Sequence, residues 1–331
     1  MSLKEKINFS IWCDFIERDF LEGEFKELIN DHIIHGATSN PAIFEQSIKN
    51  SPAYKQQYEM LKSNDSKKIY EDLAFTDIKT AARILSPLHN GDQDDGFISI
   101  EVDPTLCDDA EGTIEEGERI FKFLGSDNVM IKIPATDAGY IAMKELASRG
   151  ININATLIFS PDQAIKCAKA LSEGMKETNK DIKAVISVFV SRFDRMCDNE
   201  LEAKGLEKAR LGIMNALKCY YEVAKVNNKN IRTLFASTGV KGDELAPSYY
   251  VDNLLYENSV NTAPLATIQA WVKDGVKTLP EEKFSEKDCD EYLKTLEKKG
   301  FDIQSVYTKL LEDGLSSFKE SFKEMLKLLK K

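Results

Sequence analysis

One lysine lies inside a segment that otherwise has the pattern of a buried strand. In residues 128–137, Val129, Ile131 and Ile133 occupy one face, and Lys132 occupies the middle of the other. Burial disfavours the charged form of an amine, and a neutral amine can attack a carbonyl carbon. We therefore interpret Lys132 as a candidate nucleophile for Schiff-base chemistry. The competing interpretation is a lysine that reaches solvent from the end of its strand.

Polar residues interrupt other strand-like segments in the same way. Ser99 and Glu101 alternate with apolar residues in segment 96–102, Asn154 and Thr156 do so in 151–159, and Ser187 does so in 184–190. Neighbouring side chains of a strand point to opposite faces, so we expect the polar set to share one interior. The sequence predicts a ring whose members hydrogen-bond one another around a polar ligand: Lys132, Glu101, Asn154, Thr156 and Ser187. A purely structural polar network is the alternative.

Composition limits the classes of protein that fit the chain. Its 331 residues are 42% hydrophobic and carry a net charge of −11, so we expect no nucleic-acid binding and no attachment to an acidic membrane. Six cysteines are scattered without metal or disulfide spacing, and three histidines form no metal motif. The N-terminal residues do not resemble a signal peptide, so we expect a soluble cytoplasmic protein. The sequence predicts no metal and no organic cofactor, and it leaves monomer and homodimer open.

The order of elements predicts a single domain, residues 1–331, with the fold of a (β/α)₈ TIM barrel. Helical segments separate eight short strand candidates, at 11–16, 37–41, 96–102, 128–137, 151–159, 184–190, 232–238 and 259–263. An open doubly wound sheet is the competing fold, but no glycine-rich dinucleotide or phosphate loop follows a strand. We also expect long helical regions at 22–34 and 195–226. A C-terminal amphipathic helical extension, residues 285–331, is expected to pack on the barrel.

Several motifs, taken together and in this order, resemble the transaldolase family. They are ATSNP at 37–41, EVD at 101–103, IKIPAT at 131–136, INATLIF at 153–159, SVFVSR at 187–192 and Ala236-Ser237. The resemblance extends from about residue 11 to residue 262. It implies a class I aldolase-type barrel that transfers a dihydroxyacetone unit. The donor would be sedoheptulose 7-phosphate or fructose 6-phosphate, and the acceptor glyceraldehyde 3-phosphate or erythrose 4-phosphate, in the non-oxidative pentose phosphate pathway.

The resemblance also implies roles for single residues. Lys132 matches the Schiff-base lysine, and Asp14 matches the carboxylate that takes the hydroxyl proton of the donor during C–C cleavage. Glu101 and Thr156 match the pair that holds the catalytic water. Asn40 and Asn154 match residues that bind the dihydroxyacetone hydroxyls. Two close neighbours are expected beside them, Thr38 and Ser187.

The phosphate site departs from the better-known branch of the family. Arg192 matches the phosphate-binding arginine and suits bidentate contact with an anion. A surface salt bridge is the alternative role. Where that branch has a second arginine two residues after a serine, this chain has Gly239 after Ser237. We expect Ser237 and Lys241 to replace the missing contact.

Two alternatives to transaldolase activity remain at this stage. One is a fructose 6-phosphate aldolase, which releases free dihydroxyacetone; that family is shorter and resembles transaldolase with glutamine at the position of Glu101. The other is a catalytically inactive barrel that only binds sugar phosphates. The presence of every candidate chemical group argues against the second.

Overall fold

The computed structural model describes residues 2–275, 279 and 283–330, and eight parallel strands form a closed barrel within them. Each strand pairs with the next one along the chain, and the last pairs with the first. This arrangement confirms the predicted (β/α)₈ fold and excludes the open sheet. The strands are β1 (Ser10–Cys13), β2 (Gly36–Thr38), β3 (Phe97–Glu101), β4 (Val129–Pro134), β5 (Asn152–Ile158), β6 (Ala184–Phe189), β7 (Ile231–Ala236) and β8 (Ser259–Ala263).

Fifteen α-helices are present in the described part of the chain, and most of them surround the barrel. They are α1 (Leu3–Ile7), α2 (Arg18–Glu22), α3 (Glu24–Asn30), α4 (Pro41–Asn50), α5 (Lys55–Leu61), α6 (Ser66–Gly91), α7 (Ala110–Leu124), α8 (Asp137–Ser148), α9 (Pro161–Met175), α10 (Ser191–Ala203), α11 (Leu211–Lys225), α12 (Tyr249–Asp252), α13 (Leu265–Lys273), α14 (Glu286–Lys298) and α15 (Ile303–Leu328). Two short 3₁₀ helices, Pro52–Tyr54 and Pro104–Leu106, lie between them. No described helix has the length and apolar character that crossing a membrane requires.

Several predicted boundaries were wrong for local reasons. The first strand ends at Cys13, so Asp14 lies just beyond its end and not within it. The helix expected at 22–34 is shorter, α3 (Glu24–Asn30), and a separate helix that was not predicted, α2 (Arg18–Glu22), precedes it and ends at Gly23. The helical region expected at 195–226 consists of two helices, α10 and α11, and the helical extension at the C-terminus also consists of two, α14 and α15. Residues with positive φ lie in both breaks, Gly205 (70°) in the first and Gly300 (67°) in the second.

The barrel interior contains an apolar layer beneath a polar one. Trp12, Phe97 and Met130 belong to one buried cluster, and the Trp12 and Phe97 ring centroids are 6.2 Å apart. A Cβ at Gly36 would lie 2.7 Å from the Trp12 ring, so only glycine fits beside it. Below this layer Arg232 forms an ion pair of 3.2 Å with buried Asp95. These side chains fill the N-terminal end of the barrel interior, and the polar layer lies towards the C-terminal ends of the strands, where barrels of this class bind their ligands.

The two C-terminal helices contact other helices of the structure, and one of them also contacts a strand of the barrel. α15 contacts α4, α6, α10 and β5, while α14 contacts α11. The interpretation of the whole chain as a single domain stays a prediction.

A buried carboxylate joins α10 to α11. Asp194 accepts a hydrogen bond of 2.8 Å from the Gly212 N–H, and burial raises its pKa to about 7. The folded chain therefore retains a proton that the unfolded chain releases near pH 4, so Asp194 lowers stability as the pH rises from about 4 to 7. Relative to wild type, we expect the free energy of unfolding of Asp194→Asn to increase by up to about 4 kcal/mol as the pH rises from about 4 to 7. Urea unfolding at several pH values measures the difference, and parallel stability curves would contradict the prediction.

Candidate active site

Lys132 lies inside the barrel, as predicted, and is almost entirely buried. Only 5% of the residue is exposed, and its Nζ donates a hydrogen bond of 3.0 Å to the Ser39 carbonyl. Strand pairing sets it beside Glu101 on β3 and Asn154 on β5. Its Nζ lies 3.6 Å from Glu101 Oε2, an ion pair without a hydrogen bond. Reaching solvent from a strand end is therefore the wrong interpretation of this lysine.

The Ser39 carbonyl reaches Lys132 because of the local structure of residues 38–41. The Asn40 side chain caps α4 by accepting a hydrogen bond of 3.0 Å from the Ile43 N–H, and Pro41 is the first residue of that helix. The Ser39 hydroxyl donates to the Ser99 carbonyl at 2.8 Å. This turn therefore fixes the position of the oxygen that orients the lysine.

Burial and two neighbouring charges determine the protonation of Glu101. Loss of water raises its pKa to about 7, the positive charge of Lys132 opposes this rise, and the negative charge of Asp14 adds to it. A carboxyl group with a pKa near neutrality can both give and take a proton at physiological pH. Glu101 is therefore suited to acid and base steps beside the amine.

Asp14 supplies a second carboxylate to the same interior. Its Oδ1 accepts a hydrogen bond of 2.7 Å from the Thr38 hydroxyl, and that hydroxyl also lies 2.7 Å from the Thr262 Oγ1. Burial raises the pKa of Asp14, while Lys132 and the Thr38 hydrogen bond oppose the rise. Asp14 and Glu101 differ in their hydrogen-bond partners, so they can perform different proton transfers.

The predicted ring of mutual hydrogen bonds forms only in part. The Ser187 hydroxyl donates to Asn154 Oδ1 at 2.7 Å, and the Asn154 amide donates to Ser99 at 3.0 Å. Glu101 Oε2 and Thr156 Oγ1 are buried and have no hydrogen-bond partner among the described residues. The expectation was wrong for Lys132, Glu101 and Thr156, because their polar atoms do not reach one another in hydrogen-bond geometry. Buried oxygens without protein partners are places where a water or a ligand can bind.

A cavity of about 450 Å³ opens above Lys132 and contains most of the predicted site residues. Glu101 and Asn154 are buried and are not among the described residues that line it. The predicted residues in its wall are Asp14, Thr38, Asn40, Lys132, Thr156, Ser187, Arg192, Ser237 and Lys241. A larger groove of about 900 Å³ lies along α15, but none of the predicted site residues line it. We assign the chemistry to the smaller cavity because the buried amine and Asp14 open into it.

Cationic side chains line one part of this cavity, and one of them was not predicted. Arg192 and Arg195 lie one turn apart on α10, and Lys241 follows β7. Burial lowers the pKa of Arg192, as does the nearby charge of Arg195, whereas Asp313 acts in the opposite direction. In the described part of the chain, neither arginine is in ion-pair contact with a carboxylate. The two guanidinium groups are therefore available to an anion.

Ser237 shapes the backbone at this cationic part of the cavity. It follows β7 with a φ of 56°, a left-handed conformation that is uncommon for residues other than glycine. Its hydroxyl lies 3.2 Å from the Ser191 hydroxyl, and its carbonyl accepts from the Ser191 N–H at 3.0 Å. The contacts join β7 to the start of α10.

Sequence reasoning missed several residues of the cavity wall: Phe189, Ser191, Arg195, Thr262 and Phe318. The spacing of Arg195 three residues after Arg192 on a helix was a usable signal. Thr262 shares the inward face of its strand, which alternation could have shown. Phe318 is distant in sequence, and no local pattern distinguished it from the other apolar residues of its helix.

The fold and the site define an enzyme of the (β/α)₈-barrel class that has a buried amine and two carboxylates beneath a cationic cavity. Residues 11–329 match the family model described as Transaldolase/Fructose-6-phosphate aldolase. The transaldolase of Helicobacter pylori (strain P12) is 46% identical over 319 residues, which cover 96% of this chain and 98% of that protein. The transaldolase of Campylobacter jejuni (strain RM1221) is 46% identical over 334 residues, covering 97% and 99%. The chain belongs to the transaldolase/fructose-6-phosphate aldolase family.

Proposed function

We propose that this protein is a transaldolase that transfers a dihydroxyacetone unit between sugar phosphates through an imine on Lys132. The donor is sedoheptulose 7-phosphate or fructose 6-phosphate, and the acceptor is glyceraldehyde 3-phosphate or erythrose 4-phosphate, as in the non-oxidative pentose phosphate pathway. Both relatives described above are named transaldolase at nearly full-length coverage. The observation that carries the mechanism is the buried Lys132 amine, 3.6 Å from a carboxyl group whose pKa is about 7.

The bond-breaking step uses the amine and Asp14. The Lys132 nitrogen adds to the ketone of the donor, and loss of water leaves a cationic iminium that withdraws electrons. Asp14 then takes the proton of the C4 hydroxyl, the C3–C4 bond breaks, and its electrons form a neutral enamine. Its raised pKa makes Asp14 a stronger base than an exposed aspartate. With the acceptor aldehyde the same step runs in reverse: the enamine carbon bonds to the aldehyde carbon, the aldehyde oxygen takes a proton and the iminium forms again.

Glu101 and Thr156 hold the water molecule that is released when the imine forms and consumed when it is hydrolysed. Glu101 Oε2 and Thr156 Oγ1 are two of the buried oxygens that have no partner among the described residues. A water held between them would satisfy both atoms. Glu101 would take a proton from this water during imine hydrolysis and return one during carbinolamine dehydration.

The remaining polar residues orient the three-carbon unit. Asn40, Thr38 and Ser187 line the cavity and present polar groups to the dihydroxyacetone hydroxyls. Asn154 is fully buried and forms hydrogen bonds with Ser187 and Ser99, so it acts on the substrate through the Ser187 hydroxyl.

The phosphate group of either substrate binds at the cationic part of the cavity. Arg192 provides the principal contact, and Arg195, Lys241 and Ser237 surround it. Arg195 therefore joins Ser237 and Lys241 in replacing the arginine that the better-known branch carries after β7.

Removal of one cation from this site should weaken phosphate binding with little effect on the chemical step. We expect Arg195→Ala and Lys241→Ala each to raise the KM for fructose 6-phosphate about tenfold, and Arg192→Ala to raise it more. Steady-state kinetics at several substrate concentrations separate KM from kcat. Unphosphorylated fructose is the control substrate, because its turnover should not respond. An unchanged KM in Lys241→Ala would remove that residue from the site.

Borohydride trapping tests the proposed function. Fructose 6-phosphate and borohydride should leave a reduced dihydroxyacetone adduct on the peptide that contains Lys132, as detected by mass mapping. Addition of an aldose phosphate before the borohydride should deplete the adduct and produce the transfer product. An adduct on another lysine, or no adduct at all, would contradict the proposal.

The aldolase alternative predicts a different product. It requires the formation of substantial free dihydroxyacetone, without stimulation by an aldose acceptor. The water-holding position carries Glu101 and not glutamine, which disfavours this alternative. An inactive barrel would bind fructose 6-phosphate without turnover, which calorimetry would detect. The proposal includes a cytoplasmic location, to be tested by fractionation. It leaves monomer and homodimer to be distinguished by sedimentation.

A further inference from the structure

Helix α15 contributes to the active-site cavity, although it comes from the far end of the chain. Ser317 and Phe318 line the cavity together with the barrel residues. Gly314 allows this approach, because a Cβ there would lie 3.0 Å from Leu157 Cδ2 and 3.5 Å from an Arg192 guanidinium nitrogen. Leu157 lies in an irregular part of β5, has a φ of 57° and directly follows Thr156. The helix thus rests directly on the strand that carries a proposed catalytic residue.

Phe318 follows Gly314 by one turn, and its ring lies close to the reactive amine. The Lys132 Nζ is 5.7 Å from the centroid of this ring, and only 6% of Phe318 is exposed. The face of an aromatic ring attracts a cation within about 6 Å, and the attraction increases where water is excluded. The ring also forms an apolar part of the cavity wall.

We propose that Phe318 is a positioning residue that stabilises the iminium at Lys132 and shields the enamine from protonation. As a result, transfer of the three-carbon unit to an aldose prevails over its release as free dihydroxyacetone. This inference rests on the proposed function. In transfer, the enamine C3 forms a bond to the aldehyde carbon, the aldehyde oxygen takes a proton, and the nitrogen becomes an iminium. In release, C3 takes a proton instead, and water then hydrolyses the iminium to free dihydroxyacetone and the lysine amine.

The simpler interpretation is that Phe318 only packs in the core. It belongs to a buried cluster with Leu157, Phe159 and Phe193. The same helix offers a matched control in Phe322. This residue is 4% exposed, and its ring centroid lies 5.5 Å from the ring centroid of Tyr70. Phe322 is equally buried but is absent from the described lining of the active-site cavity. A purely structural role predicts the same consequences for both phenylalanines.

The test compares Phe318→Leu with Phe322→Leu, using fructose 6-phosphate with and without erythrose 4-phosphate. We measure the ratio of free dihydroxyacetone to transfer product and the amount of borohydride-trapped adduct at Lys132. In Phe318→Leu we expect kcat for transfer to fall about tenfold and the release ratio to rise by a similar factor, because leucine keeps apolar bulk but has no aromatic face. In Phe322→Leu both quantities should stay at the wild-type value, even if the melting temperature falls.

A second measurement keeps the test valid if Phe318→Leu does not fold. Fluorinated phenylalanine at position 318 keeps the shape of the ring and removes its negative face, and it should lower the rate of transfer progressively with each added fluorine. An equal release ratio in both leucine variants, or rates that do not respond to fluorination, would overturn the role of Phe318. Absence of any Lys132 adduct in the wild type would overturn the proposed function instead, so the two failures are distinguishable.

Discussion

Replacement of Lys132 by methionine is expected to lower kcat by roughly 10⁴–10⁶-fold, the range typical of removing a nucleophile. Methionine preserves the length and apolar volume of the lysine stem inside the barrel, so the loss reflects the missing nitrogen and not a cavity. The borohydride adduct should disappear together with turnover. Coupled spectrophotometric assay of the transfer reaction and mass mapping of the trapped peptide measure the two losses independently.

The control for this variant is a second, largely buried lysine that is remote from the cavity. Lys183 forms an ion pair of 3.0 Å with Asp94 and contacts Asn230, near the N-terminal ends of the strands. Lys183→Met should keep the adduct and most of the activity, although its stability should fall. Residual kcat above a hundredth of wild type in Lys132→Met would show that the chemistry does not require an imine at this position.

Glu101→Gln is expected to lower kcat by roughly 10²–10⁴-fold, the contribution typical of general acid–base catalysis. The carboxylate form takes the proton from water during imine hydrolysis, and that form becomes populated as the pH passes about 7. The wild-type kcat should therefore rise through pH 7, and this rise should be absent in Glu101→Gln. Glutamine retains the shape of the side chain but cannot exchange a proton.

Asp194→Asn is the matched control for the pH profile. The pKa of Asp194 is also raised to about 7 by burial, but the residue contacts Gly212 and is not among the described residues lining the cavity. Loss of its titration should change stability and leave the inflection in kcat in place. An inflection that survives in Glu101→Gln and vanishes in Asp194→Asn would reverse the assignment of the catalytic group.

Local patterns of the chain predicted the barrel and the residues on its inward face. Alternation along β4 and β5 set Lys132, Asn154 and Thr156 on the interior side, and it did so correctly because side chains of a strand alternate by covalent geometry. Helix ends were harder to predict. The break at Gly23 and the division of the C-terminal region at Gly300 depend on single residues within otherwise helical patterns.

Hydrogen-bond partners were the least predictable feature of the site. The inward face of β4 suggested that Lys132 would bond to other strand residues, whereas its partner is the Ser39 carbonyl, in the turn before α4. That carbonyl approaches only because the capped helix fixes the turn. The partner of a buried polar atom depends on distances of a few tenths of an ångström, which periodicity does not specify.

The sequence by itself determined the family, the order of eight strands and the place of Lys132 on an inward face of its strand, since each of these depends on motifs or on local periodicity. Tertiary structure alone decided that the Phe318 ring lies 5.7 Å from Lys132 Nζ, that Arg195 lines the cavity beside Arg192 and that burial raises the pKa of Glu101 to about 7. Burial and charge at a given atom are sums over every element packed around it. Those elements come from distant parts of the chain, so no stretch of sequence contains the answer alone.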